Sequence, residues 1–264
     1  MLRLLRIEWN KIAPYRAFRV LIGLYLACMV ALPWSMERIP FLRNLQQFFE
    51  FPAIWFFYYF AGMFLSFALA IIIITITCNE YSNRTFRQHI IDGLGRNDLV
   101  AAKITLMFIG ALAITLLMTL NGVIAGSANE FQMEKGEMFA KAGFIPGFFL
   151  HVAGVMSLAF FLANLLRRTG LAIFAFLLWV FPVELILKGL LEGVAKDGGM
   201  ISSRLPVWVI YNTNVSFKDI DNPMELLTTG LIPTGLGWEN MLMKMAWIGV
   251  FCGLSWVMIR RRDL

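Results

Sequence analysis

The sequence predicts an all-α integral membrane protein, a single domain of six transmembrane helices, and three observations carry that expectation. The 264 residues are 59% hydrophobic and only 15% charged, with 24 Phe, and mean hydropathy is +0.71. A soluble domain carries about 25% charged and about 45–50% apolar residues, so the excess points to lipid rather than to a large aqueous core. Six apolar segments recur, each close to the roughly 20 residues that cross about 30 Å of hydrocarbon. Lys and Arg gather in alternate connections, the pattern of a multi-pass chain. Helices are the economical spanning structure, because lipid offers no partner to an open backbone amide.

Residues 1–16, "MLRLLRIEWNKIAPYR", are too charged to span. At 100° per residue Leu2, Leu5, Trp9 and Ile12 share a face opposite Arg3, Arg6 and Asn10, as in a helix lying along the membrane interface. No small-x-small cleavage site follows Leu32, where "PWSMERIP" stands, so cleavage as a signal peptide is not expected. The spans are expected at 17–34, 53–78, 104–125, 148–166, 170–187 and 241–259, the second long enough to tilt or project. Between the second and third lies a polar island, 79–103. Between the fifth and sixth lies the longest polar segment, 188–240, where Gly, Pro, Asn and Asp alternate with short apolar pieces such as "LPVWVIY". That punctuation predicts a folded outer cap.

An even number of spans puts both termini on one side. The N-terminus, the island, the turn at Arg167 and Arg168, and the C-terminus together hold 14 of the 23 basic residues, which places them in the cytoplasm and the protein in the cell inner membrane. The cysteines Cys28, Cys78 and Cys252 lack any C-x-x-C spacing and read as apolar filler. His89 and His151 are far apart in sequence, so no metal site is expected. No G-x-x-x-x-G-K-[ST] loop occurs, so the chain is not expected to be an enzyme or to bind ATP itself. No nucleic-acid partner is expected.

The island, "NEYSNRTFRQHIIDGLGRNDLVAAK", sets Phe86, Ile90 and Gly93 at helical spacing beside Arg87, Asp92 and Arg96. This is an amphipathic stretch able to seat in a partner's groove. A solvated connecting loop that only sets topology is the plainer alternative. The spacing resembles the membrane subunit of type-2 ABC transporters, the ABC-2 permeases. That family carries Glu, a Gly-Thr pair, two aliphatic residues, a Pro-x-Ser-Arg turn, and a Lys opening the third span. Here stand Glu80, Thr85, Ile90 and Ile91, Arg96 and Lys103 at those intervals. Arg84, Gly93 and Gly95 replace the usual Gly, Pro and Ser. The resemblance implies that 79–103 is a cytoplasmic coupling helix seated on a separate ABC ATPase, which would bind ATP and Mg. Glu80, Arg84, Thr85, Phe86, Arg87, Ile90, Ile91 and Arg96 would form the coupling site, with Phe86 and Ile90 as anchors. Glu80 would pair with Arg84, Arg87 or a basic residue of the N-terminal helix. It also implies a homodimer or a heterodimer with a paralogous permease. The short inner link at Arg167, Arg168 and Thr169, without an importer's longer coupling loop, favours an exporter-like member, its cargo a hydrophobic compound, peptide or lipid.

An ion-coupled secondary carrier is the rival mechanism, and a non-transporting membrane scaffold a further alternative. Carriers place ionisable groups at mid-membrane, whereas His151, Glu184, Lys188 and Lys244 fall toward span ends, where the lysines can snorkel. Glu184 and Lys188, four residues apart, are the candidates for a functional pair at the outer end. Trp55, Phe56, Phe57, Tyr58, Tyr59, Phe60 and Phe64 read as an interfacial aromatic belt, with an apolar substrate path as the alternative. Gly122 with Gly126, and Gly249 with Gly253, permit close helix contact.

Overall fold

The computed structural model describes residues 2–14, 16–36, 51, 54–83, 85, 88, 91, 95–128, 139, 142–183, 186 and 238–261. Among these the chain is helical and contains no strand. In order the helices are α1 (Leu2–Ile12), α2 (Arg16–Met36), α3 (Ile54–Ser82), α4 (Arg96–Ala128), α5 (Phe144–Leu166), α6 (Thr169–Leu178) and α7 (Trp238–Arg261). A π-helical turn, Trp179–Val183, continues α6 around Pro182, whose missing N–H opens the hydrogen-bond ladder there.

Among the described residues three helical stretches are long and apolar enough to cross a membrane: Arg96–Ser127, Phe144–Leu166 and Met241–Arg261. Shorter apolar helical stretches run over Phe18–Cys28, Ser66–Ser82 and Thr169–Val183. Of the expected 188–240 cap, 188–237 lie outside the described residues, and Trp238–Asn240 begin α7.

Hydropathy misjudges helix ends in one direction. The second and third apolar segments end at 78 and begin at 104 by composition, yet α3 runs on to Ser82 and α4 starts at Arg96. A charged residue does not break a helix; it only marks where apolar surroundings end. Gly95 opens α4, its carbonyl accepting from the N–H groups of Asp98 and Leu99 at 3.1 Å each, and Asp98 sits in the first turn where the helix dipole favours an anion. The connection between α3 and α4 is thus 83–95, about half the expected island.

The centre of the bundle is α5. Every residue from His151 to Phe160 is buried, because α3 packs along one side, α7 along another, and α4 and α6 close the remainder. Ala153, Gly154, Ser157, Ala159 and Ala163 keep this helix slim, which lets its neighbours approach. It ends at Arg167, which holds φ 54°, donates its N–H to the Ala163 carbonyl at 2.9 Å and sets its guanidinium 5.0 Å from the centre of the Tyr81 ring. A left-handed cap usually falls to glycine; here the stacked cation offsets the strain.

The aromatic residues at the start of α3 point inward. Trp55, Tyr58 and Tyr59 are fully buried and Phe56 nearly so, which corrects the expected interfacial belt for these four. Tyr58 accepts a hydrogen bond from Asn121 Nδ2, and Trp55 stacks on Phe139 and meets Phe51 at a tilt of 44°. Gly122 is the seat that makes this possible: a Cβ there would come within 2.9 Å of the Trp55 ring. Gly122 therefore admits a ring rather than a second backbone, while Gly249 and Gly253 on α7 face open space.

Substitution separates the two glycine pairs. Gly122→Ala overpacks the Trp55 seat and should cost about 1–3 kcal/mol, seen as a lowered melting temperature in detergent. Gly253→Ala, with nothing within 4 Å, should leave the melt unchanged or raise it slightly.

Candidate functional site

Three elements meet where the short polar connection joins the bundle. Glu80 stands in the last turn of α3, Lys103 two turns into α4, and Glu8 in the second turn of α1. The antiparallel run of α3 and α4 brings Glu80 and Lys103 side by side, and α1 packs against α4 so that Glu8 reaches the same ammonium. Lys103 Nζ lies 3.0 Å from Glu8 Oε2 and also forms an ion pair with Glu80 Oε2. All three residues are buried, at 2%, 8% and 9% exposure for Glu8, Lys103 and Glu80. One lysine thus bridges two carboxylates out of water. Such an arrangement persists only when each charge is met, since an isolated buried ion costs several kcal/mol.

Glu80 was expected to tie the end of the second span to the N-terminal helix through Arg84, Arg87 or a basic residue of that helix. Among the described residues the tie runs through a cation of α4, Lys103, with α1 contributing the acid Glu8. The expected face of α1 changes accordingly. Glu8 is its most buried described residue, and Trp9 is half exposed, its ring edge-on to Phe18 at 6.3 Å. A signal for Glu8 did exist, for it is the single acid among the first 36 residues, in a segment that also holds Arg3, Arg6, Lys11, Arg16 and Arg19. A lone carboxylate in so basic a helix marks a specific partner.

The remaining expected coupling residues divide. Thr85 donates its hydroxyl to the Glu80 carbonyl at 3.3 Å, which folds the connection back on the end of α3. Ile91 is 83% exposed, a bare aliphatic group on the connection. Arg96 belongs to α4 rather than to the connection and donates to the Arg260 carbonyl at 3.4 Å, pinning the end of α7. Arg84, Phe86, Arg87 and Ile90 lie outside the described residues, as do Glu184 and Lys188.

A second polar cluster sits deeper in the bundle. Lys244, 3% exposed, donates to Tyr59 Oη at 2.8 Å and lies 5.3 Å from that ring's centre. It points into the protein, so snorkelling does not describe it; burial between α3 and α5 gives its ammonium a phenol instead of water. Ser66 Oγ and His151 Nε2 share a hydrogen bond of 3.1 Å one layer away, and the Tyr59 and His151 rings meet edge-on at 6.1 Å. By contrast, Thr75, Thr115 and Thr119 each donate to a carbonyl four residues back in their own helix. Their polarity is spent locally and lines no path.

No protein-family model and no curated protein matches the chain. Among the described residues no group of three or more His, Cys, Asp or Glu is placed to hold a metal ion.

Removing the central cation of the bridge should be far worse than removing the whole bridge. Lys103→Met leaves two buried carboxylates facing each other and should cost about 3–5 kcal/mol. Combining it with Glu8→Gln and Glu80→Gln should restore most of the loss. Melting temperatures of the single and triple variants in one detergent make the comparison, and equal melts would show that the bridge contributes little.

Proposed function

We propose that this chain is the membrane subunit of an ATP-driven transporter of the ABC-2 type. In this reading six helices span the inner membrane, both termini are cytoplasmic, and a separate ATPase seats on the 83–95 connection. The observation that carries it is the Glu8–Lys103–Glu80 bridge at the base of that connection. A force applied to the connection reaches α3 through Glu80, α4 through Lys103 and α1 through Glu8 at once, as a coupling element requires. Exposed Ile91, helical like Thr85 and Gln88, supports a partner-facing role for the connection, since a bare aliphatic side chain is stabilised by being covered. The apolar outer rows of α4, including Leu112, Leu116 and Leu120, support contact with lipid along its length. Open Gly249 and Gly253 on α7 support assembly with a second copy or a paralogue. ATP and Mg belong to the partner, because this chain carries no phosphate-cradling loop. The cargo in this reading is a hydrophobic compound, peptide or lipid moved outward.

Buried Lys244 with Tyr59, and His151 with Ser66, favour a second reading, an ion-coupled carrier, since ionisable groups inside apolar bundles mark ion or proton paths. The two readings differ in energy source. Purification in mild detergent should recover a P-loop ATPase with the chain, and the Phe86→Ala, Ile90→Ala pair should uncouple ATP hydrolysis from transport while leaving the helices folded. Transport by the chain alone, driven by an ion gradient in proteoliposomes, would overturn the ABC reading in favour of the carrier.

A further inference from the structure

A groove runs along the flank of the bundle between α2, α3 and α4, closed at one end by α1. Its volume is 380 Å³, and its walls are aliphatic and aromatic: Phe18, Ile22 and Leu26 from α2, Ile73 from α3, Ala113 and Leu117 from α4. Charged groups line it at one end alone, where Glu8 and Lys103 stand beside half-exposed Trp9. A second space of 310 Å³ continues it past Leu26, Ile114 and Leu117 toward Asn121 and Ile124.

Dimensions select the occupant. From Lys103 to Leu117 the groove follows α4 for about 21 Å at about 1.5 Å per residue, more than the roughly 15 Å of hydrocarbon in one leaflet. A volume of 380 Å³ drawn out over that length makes a slot too narrow for a helix, which is about 10 Å wide with its side chains. It suits one extended alkyl chain. Water gains little there, since apart from Glu8, Lys103 and Thr77 the walls are almost wholly apolar. Charge then selects the headgroup. Within the first 36 residues Glu8 is the single acid against five bases, and Lys103 already engages it. Arg6, Arg16 and Arg19 are exposed on α1 and the start of α2, within three residues of Trp9 and Phe18, which line the groove, so the surplus near that end is cationic and attracts an anionic head.

We propose that this groove is a binding site for an anionic phospholipid, one acyl chain lying between α2 and α4 and the phosphate held by Arg16 and Arg19. The proposal rests on the membrane placement inferred above and is independent of ATP coupling. The lipid would wedge α2 from α4 beside the Glu8–Lys103–Glu80 bridge, so its occupancy would set the spacing of the helices that the bridge joins.

The test uses the full chain purified in detergent containing equal phosphatidylglycerol and phosphatidylcholine, with retained lipid counted by native mass spectrometry. Ala113→Trp fills the groove from α4, and Leu112→Trp places the same ring on the exposed outer face of that helix. Retained phosphatidylglycerol should fall about tenfold in Ala113→Trp and stay at the wild-type level in Leu112→Trp. If Ala113→Trp does not fold, Gly110→Leu fills the same groove where a Cβ meets only Met156 Cε at 3.8 Å. Replacing Arg16 and Arg19 with Gln should cut the preference for phosphatidylglycerol about fivefold or more. Wild-type lipid retention in a folded groove-filling variant overturns the site, and equal retention of the two lipids by the wild type overturns the anionic head. Alkaline extraction of wild-type membranes keeps the questions apart. A chain that stays in the membrane but ignores the groove substitution refutes the lipid site alone, whereas a chain that washes off refutes the membrane placement.

Discussion

Helix α5 is buried from His151 to Phe160 without a break, and the placement of the other elements follows from that. A helix that meets protein on every side needs several partners, and α3, α4, α6 and α7 are those partners. Its small residues set how near they come, and its left-handed exit at Arg167 sends α6 back along it with no room for a longer link. The aromatic start of α3 is drawn inward for the same reason. Tyr59 and Phe56 meet Phe144 at ring-centre distances of 5.6 Å and 5.5 Å, so the mass of side chain that would suit a lipid interface instead fills the end of the bundle around α5.

In such apolar surroundings each polar group must be met where it lies. Threonines bond to their own helix, Asn164 donates to the Phe160 carbonyl and accepts from Tyr81, and Asn121 reaches Tyr58. Charged groups follow the same rule on a larger scale. Lys244 is brought to a phenol, and Lys103 to two carboxylates on separate helices. The second case adds to the packing a tie among three elements that holds only at one register, because a buried ion pair must keep its partners within a few ångströms.

The bridge and the short connection lie at one end of α4, where the apolar groove begins. That proximity links the proposed coupling role to the proposed lipid site: Glu8 and Lys103 both close the groove and brace the connection, so the state of either is felt by the other. Ile91 projects from the connection beyond this braced base, where a partner can reach it.

Composition and spacing by themselves determined the helical class, the apolar segments and the polar connection, because hydropathy over about 20 residues is a property of a local stretch of chain. Glu80 was legible as the residue joining the connection to the bundle. The engagement of Lys103, the role of Glu8, the burial of Lys244 and the inward turn of Trp55, Tyr58 and Tyr59 were decided only in the tertiary structure. Glu8 and Lys103 stand 95 residues apart, and Lys244 and Tyr59 stand 185 apart. Nothing in either local stretch records which distant helix will face it. A charge near the end of an apolar segment reads the same whether it turns to water or to a partner, and the packing of neighbouring helices around α5 decides which.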